Sequence, residues 1–211
     1  MSADPHAGQP VLVRGRPLGE GRAAMIMLHG RGAGPENILE LATPLAHPEF
    51  TYLAPSAQGG TWYPYSFMTE TEKNEPGISS GLAAIHRLVG EVLGKGVPLE
   101  RIVLLGFSQG ACLATTYAAR HATRFGGVIG LSGGLIGPPG TVWDFSGSFD
   151  RAPVFLGCSD VDAHVPEARV QESAEVFRRM GAEVTARIYA GMGHLVNVDE
   201  LEFTRELMAR V

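Results

Sequence analysis

The sequence predicts an α/β fold, a doubly wound, mostly parallel sheet with helices on both faces. Three observations carry the prediction. Apolar, β-prone runs alternate with segments whose apolar residues recur at helical spacing, the pattern of a sheet covered on both sides. At 211 residues the chain is within the size of one domain with a substantial core. No internal repeat divides it.

The elements follow in order. Ala24-Met25-Ile26-Met27-Leu28 reads as a buried strand, and Pro35 to Ala46 as a helix that opens on a proline, whose missing N–H costs nothing there. Thr51 to Ala54 is a short strand stopped by Pro55. From Ser79 to Leu93, Leu82, Ile85, Leu88, Val89 and Val92 form one helical stripe. A strand at Ile102-Val103-Leu104-Leu105 leads into a helix ending near His121, and Gly127 to Leu131 is the next strand. Pro153 to Leu156 is buried, Pro166 opens a helix running to Met180, Val184 to Tyr189 is a strand, and Asp199 to Ala209 is an amphipathic helix. Residues 1–211 are expected to form one domain, with about residues 1–9 a loose tail. The connection between the Gly127 and Pro153 strands has the length of an ordinary long loop, so no large lid domain is expected. An accessible site without strong interfacial activation follows.

Composition narrows the function. The net charge of −5, with scattered basic residues, argues against nucleic acid. No apolar run approaches membrane-spanning length, and Met1 to His6 has no basic region followed by an apolar block, so a cytoplasmic protein without a membrane span is expected. Cys112 and Cys158 lack metal-ligand spacing and read as reduced, partly buried thiols, one of which could lie near a site.

Chemistry is to be sought after the strands, at their carboxyl ends. Gly106-Phe107-Ser108-Gln109-Gly110 matches G-x-S-x-G between a strand and a helix, where a nucleophilic serine on a strained elbow needs small residues two places either side. Gly130-Leu131-Ser132-Gly133-Gly134 also matches, so the pattern alone decides nothing. After Ser132, however, Gly137, Pro138 and Pro139 bar a helix, whereas after Ser108 the helix continues. Ser108 is the candidate nucleophile and Ser132 a loop serine.

A serine needs a base, and the base an orienting acid. In folds of this kind both follow the serine, acid first. His194, in Ala190-Gly191-Met192-Gly193-His194, directly follows a strand and is the candidate base; His164 is held in reserve, and His121 is read as a surface residue at the far end of its helix. The loop Gly157 to Pro166 offers Asp160 and Asp162, of which Asp162 is favoured, loop conformation deciding between them. Asp144 and Asp150 read as turn formers. The N–H of Gln109, at a helix start, and an N–H from the glycine-rich stretch His29 to Gly34, placed at Arg31, would stabilise an oxyanion. The same glycines lack the Gly-Lys-Ser/Thr of a phosphate cradle, so no nucleotide site is expected. Trp62, Tyr63, Tyr65 and Phe67 crowd one segment as a pocket or as a satellite core.

Together these residues resemble the phospholipase/carboxylesterase family of small α/β-hydrolases, to which acyl-protein thioesterases belong. The resemblance runs from about Met25 to Leu201 and is carried by LHGRGAG at Leu28 to Gly34, YLAP at Tyr52 to Pro55, TWYPYSF at Thr61 to Phe67, GFSQG, the SDVDAHVP loop and GMGH. It implies a serine esterase without cofactor or metal, with Ser108, Asp162 and His194 as triad and Arg31 and Gln109 as backbone oxyanion donors. Ala163 replaces a proline frequent in the family, and the aspartate loop is longer than in the thioesterase branch. Dienelactone hydrolases share the fold but use cysteine, which Ser108 argues against. The expected reaction is hydrolysis of short- to medium-chain carboxylic esters through an acyl-enzyme. Its alternatives are a thioesterase or lysophospholipase with the same triad and, more remotely, a non-catalytic binding module. The expected partner is a small-molecule ester or thioester; a homodimer is compatible with the sequence.

Overall fold

The computed structural model describes residues 4–211. Seven strands form one sheet among the described residues: β1 (Val11–Gly15), β2 (Ala23–Leu28), β3 (Phe50–Pro55), β4 (Ile102–Phe107), β5 (Gly127–Leu131), β6 (Pro153–Ser159) and β7 (Glu183–Tyr189). Their order is β1-β3-β2-β4-β5-β6-β7, and every pairing is parallel except that of β1 with β3. The helices are α1 (Pro35–Leu39), α2 (Gly77–Gly94), α3 (Gln109–Arg120), α4 (Glu167–Arg179) and α5 (Val198–Met208).

Strand periodicity divides the core in two. Ala24, Ile26 and Leu28 of β2 and Ile102 and Leu104 of β4 point to the side where Ile85 of α2, Leu113 and Tyr117 of α3, and Phe177 of α4 pack. Met25, Met27, Val103 and Leu105 point to the other, against Ile38 and Leu39 of α1 and Leu207 and Met208 of α5. With both faces covered, β2 and β4 have no solvent side, which is why they read as apolar runs without alternation.

Two expectations need correction, and one strand was not expected. The helix expected over Pro35 to Ala46 is α-helical only to Leu39 and passes through a 3₁₀ turn at Glu40–Ala42. Pro44, with no N–H to donate and a ring that clashes one turn back, ends it. β1, which the sequence reading did not place, is an edge strand, largely exposed, pairing on one side only. Residues 4–9 of the expected loose tail are docked instead: His6 is buried and bonded to Ser80 and Trp62, so here ordering is repaid by buried polar contacts. Met1, Ser2 and Ala3 lie outside the described residues.

Candidate active site

Parallel strands deliver their following loops to one edge, and there β2, β4, β6 and β7 bring four segments together. Ser108 ends β4 with φ 55° and ψ −119°, in the left-handed half of backbone space. Such a turn swings the chain from strand into helix within one residue, and the glycines around it are steric requirements. A Cβ on Gly106 would fall on the carbonyl of Gly110, and one on Gly110 on the carbonyl of Leu28. The elbow thus needs its glycines so that α3 can pack tightly across β2 and β4.

His194 reaches this elbow from the loop after β7. Ser108 Oγ donates to His194 Nε2 at 2.9 Å, and His194 Nδ1–H donates to Asp162 Oδ2 at 2.7 Å. Asp162 is buried behind the imidazole; its other oxygen accepts from the N–H groups of His164 at 2.8 Å and Val165 at 3.0 Å. Burial pushes its carboxyl upward, but the hydrogen bonds from His194, His164 and Val165 outweigh that and hold it below the usual value. An ionised acid fixes the proton on Nδ1 and leaves Nε2 free to accept from the serine.

Asp160, the competing carboxylate, lies elsewhere: it accepts from the N–H of Gly191 at 2.8 Å and so braces the histidine loop from behind. His164 is exposed and stacks edge-on against His194 with centroids 4.7 Å apart, without bonding to Ser108. His121 is exposed at the end of α3.

The glycine-rich loop after β2 lies over the elbow. A Cβ on Gly30 would sit 3.3 Å from the Phe107 ring and 3.4 Å from the Ser108 Cβ, so this backbone packs directly against the elbow. Arg31 follows it, and its guanidinium donates to the carbonyls of Pro64 at 2.7 Å and Tyr65 at 2.6 Å. Gln109 is the first residue of α3, where N–H groups have no intrahelical partner. Its side chain accepts from the Trp62 N–H at 2.9 Å and donates to the Tyr63 carbonyl at 2.8 Å. Two backbone segments, the Gly30 loop and the N-terminus of α3, thus converge beside Ser108.

A cavity of about 300 Å³ adjoins Ser108 and His194, walled by Gly30, Arg31, Tyr63, Phe67, Cys112 and Val165. Of the aromatic candidates, Tyr63 and Phe67 line it, whereas Trp62 and Tyr65 do not. Trp62 turns inward, its indole N–H donating to the His29 carbonyl at 2.9 Å, and Tyr65 faces solvent. Phe107 and Val165, variable positions of the elbow motif and the aspartate loop, also line it, as does Cys112, one of the two thiols the sequence left free to lie near a site. Burial favours the protonated thiol at both cysteines, raising Cys112 to about 11 and, with the neighbouring Asp162, Cys158 to about 12. Ser132, the second elbow, also has positive φ, at 49°, but is wholly buried and its Oγ has no partner. Among the described residues no group of His, Cys, Asp and Glu side chains is arranged to hold a metal ion, and no helix is long and apolar enough to cross a membrane.

Residues 16–211 match the phospholipase/carboxylesterase family model. The chain is 28% identical over 204 residues to acyl-protein thioesterase 1 of Saccharomyces cerevisiae, covering 86% of this chain and 89% of that one. It is 33% identical over 129 residues to acyl-protein thioesterase 1 of Gibberella zeae, covering 60% of this chain but only 54% of that relative's length. A phospholipase/carboxylesterase crystal structure from Dyadobacter fermentans superposes with a TM-score of 0.92 at 37% identity, over 96% of this chain and 97% of that one.

Proposed function

The chain belongs to the phospholipase/carboxylesterase family of α/β-hydrolases, and on that premise we propose that it is a serine hydrolase cleaving carboxylic esters of short to medium acyl chain through an acyl-enzyme on Ser108. The observation that carries the reading is the continuous hydrogen-bonded line from Ser108 Oγ through His194 to the buried Asp162. His194 takes the serine proton as Oγ attacks the ester carbonyl, and gives it to the departing alcohol. Water, activated by the same imidazole, then releases the acid. Asp162 holds the tautomer and stabilises the imidazolium formed in each half-reaction. The backbone N–H groups of Arg31 and Gln109 receive the oxyanion. The cavity beside Ser108 accommodates a modest acyl group between Tyr63, Phe67 and Val165.

Thioester hydrolysis by the same residues is equally supported, since relatives in Saccharomyces cerevisiae and Gibberella zeae are named acyl-protein thioesterases. Matched ester and thioester substrates separate the two by their kcat/KM. The mechanism is tested with a fluorophosphonate probe and peptide mapping beside a p-nitrophenyl ester assay. Labelling confined to Ser108, with activity lost in parallel and abolished in Ser108→Ala, is expected. A folded protein that hydrolyses the ester unlabelled, or a clean Ser108→Ala preparation with substantial turnover, refutes it.

A further inference from the structure

The segment Asp4–Gln9 precedes the first strand, and its one aromatic ring, His6, is buried against the loop that carries Trp62. The His6 N–H donates to Ser80 Oγ at 2.9 Å; Ser80 Oγ donates in turn to Asp4, and Arg87 Nη1 donates to the other Asp4 oxygen at 3.0 Å. The backbone of the segment is thereby pinned to α2. Its imidazole spans a loop: Nδ1 accepts from the N–H of Gln58 at 3.1 Å, and Nε2–H donates to the carbonyl of Trp62 at 2.8 Å. Those two bonds fix a neutral tautomer and tie both ends of the turn Gln58–Trp62 to one rigid ring.

That turn holds the glycine-rich loop in place. Gly60 O accepts from the N–H of Gly32 at 2.8 Å, Trp62 Nε1–H donates to the His29 carbonyl at 2.9 Å, and the N–H of Ala57 donates to His29 Nε2 at 3.1 Å. His6 and His29 flank the Trp62 indole, with ring centroids 5.1 and 5.0 Å away. Trp62 also donates its N–H to Gln109. Every segment that offers an oxyanion donor is therefore bonded to the turn that His6 clasps, while His6 is not among the residues lining the cavity beside Ser108. Burial depresses His6 below its ordinary value, in keeping with an imidazole whose Nδ1 is committed as an acceptor.

We propose that His6 is a positioning residue of the active site, acting through the Gln58–Trp62 turn to hold the Gly30–Gly32 backbone at the distance the developing oxyanion requires. The inference rests on the serine-hydrolase reading above. Oxyanion stabilisation is steep in donor position, so freeing the turn lowers kcat and leaves ground-state binding nearly intact.

The test compares wild type, His6→Phe, His6→Asn and Asp4→Ala in the full chain. As a control for stability alone, Val92→Ala shortens a buried side chain near the far end of α2, away from the cleft. His6→Phe keeps a ring against Trp62 but removes both bonds. It is expected to lower kcat about tenfold to a hundredfold with KM within about twofold, and to weaken a trifluoromethyl ketone, which binds as an oxyanion adduct, by the same factor. His6→Asn, able to offer an oxygen to the Gln58 N–H, recovers part of the loss; Asp4→Ala, a surface change, gives a smaller loss in the same sense even where His6→Phe does not fold. Val92→Ala lowers the melting temperature without changing kcat per folded molecule. His6→Phe with wild-type kcat, or with unchanged affinity for the ketone, overturns the proposal, as does Asp4→Ala at full activity should His6→Phe not fold. A wild type that neither hydrolyses esters nor takes the fluorophosphonate removes the hydrolase reading itself, a result distinct from these.

Discussion

Replacing Glu200 by glutamine makes the protein more resistant to unfolding at alkaline pH and nearly unchanged at acid pH. Glu200 is wholly buried near the start of α5; one carboxyl oxygen accepts from the N–H of Asn197 at 2.9 Å and the other has no partner. The partnerless oxygen lies against Gly157, leaving no room for a larger residue in that strand. Burial raises the carboxyl to about 7, opposed by the Asn197 bond and reinforced by the nearby charge of Asp199. A carboxyl at 4.5 in the unfolded chain and about 7 in the folded one is protonated in the native state while ionised in the unfolded state across that window. The native state then binds more protons, so the Glu200 contribution to stability falls as pH rises from about 4.5 to 7 and levels off above. The loss is about 3 kcal/mol in order of magnitude. Glutamine keeps an acceptor for Asn197 and carries no charge, so the variant lacks this slope. The assay is urea unfolding of both proteins from pH 5 to 8.5. Taking the difference cancels opposing contributions from buried His6 and His29, whose depressed values make stability fall as pH drops below about 6.5. At pH 8 the variant's midpoint is expected about 1 M urea higher than the wild type's. A difference curve flat across the range refutes the reasoning and means that the unpartnered oxygen is solvated.

Two further outcomes follow from the same geometry. Asp162→Asn misdirects the imidazole tautomer and lowers kcat by about 10³- to 10⁴-fold, whereas Asp160→Asn, which weakens only the bonds from the Gly191 N–H and Ser159 Oγ, stays within about tenfold of wild type in the same steady-state assay; equal losses would remove the distinction. Ser132→Ala deletes a buried hydroxyl with no partner, so the melting temperature is unchanged or raised and ester hydrolysis persists; a loss of activity of tenfold or more would mean that Ser132 Oγ is used.

Where covalent sterics dictate structure, the sequence was readable. Gly106 and Gly110 have to be glycine for the Ser108 elbow to pack, but Ser132 has the same glycine frame, and the helix that follows Ser108 is what placed it ahead of Ser132. The strands β2, β4 and β5 were legible because burial on both faces leaves an unbroken apolar run. Asp160 and Asp162 were separable only by three-dimensional loop geometry: two residues apart, they take different partners, Asp160 the N–H of Gly191 and Asp162 alone the imidazole of His194. The docking of His6 was illegible for another reason. Its partners Gln58, Trp62 and Ser80 stand more than fifty residues away, and a short polar stretch before the first strand has no periodicity that records them. β1 was missed on the same ground, since an exposed edge strand obeys no burial alternation. Of the aromatic segment read as pocket or satellite core, Tyr63 and Phe67 line the cavity, Trp62 is buried away from it and Tyr65 faces solvent, because neighbouring side chains in an irregular segment point different ways.

Two adjacent strands of this protein end in the same kind of corner, a serine at positive φ within a glycine frame, yet only one hydroxyl meets a histidine. Backbone shape therefore prepares a position for chemistry without assigning it. What assigns it is the roof: over β4 the cover is an imidazole and open space, over β5 it is packed protein. In such a scaffold the space above a serine corner is set by its neighbours, so thinning the cover over one strand while closing it over the next changes which corner is open without altering the corner itself.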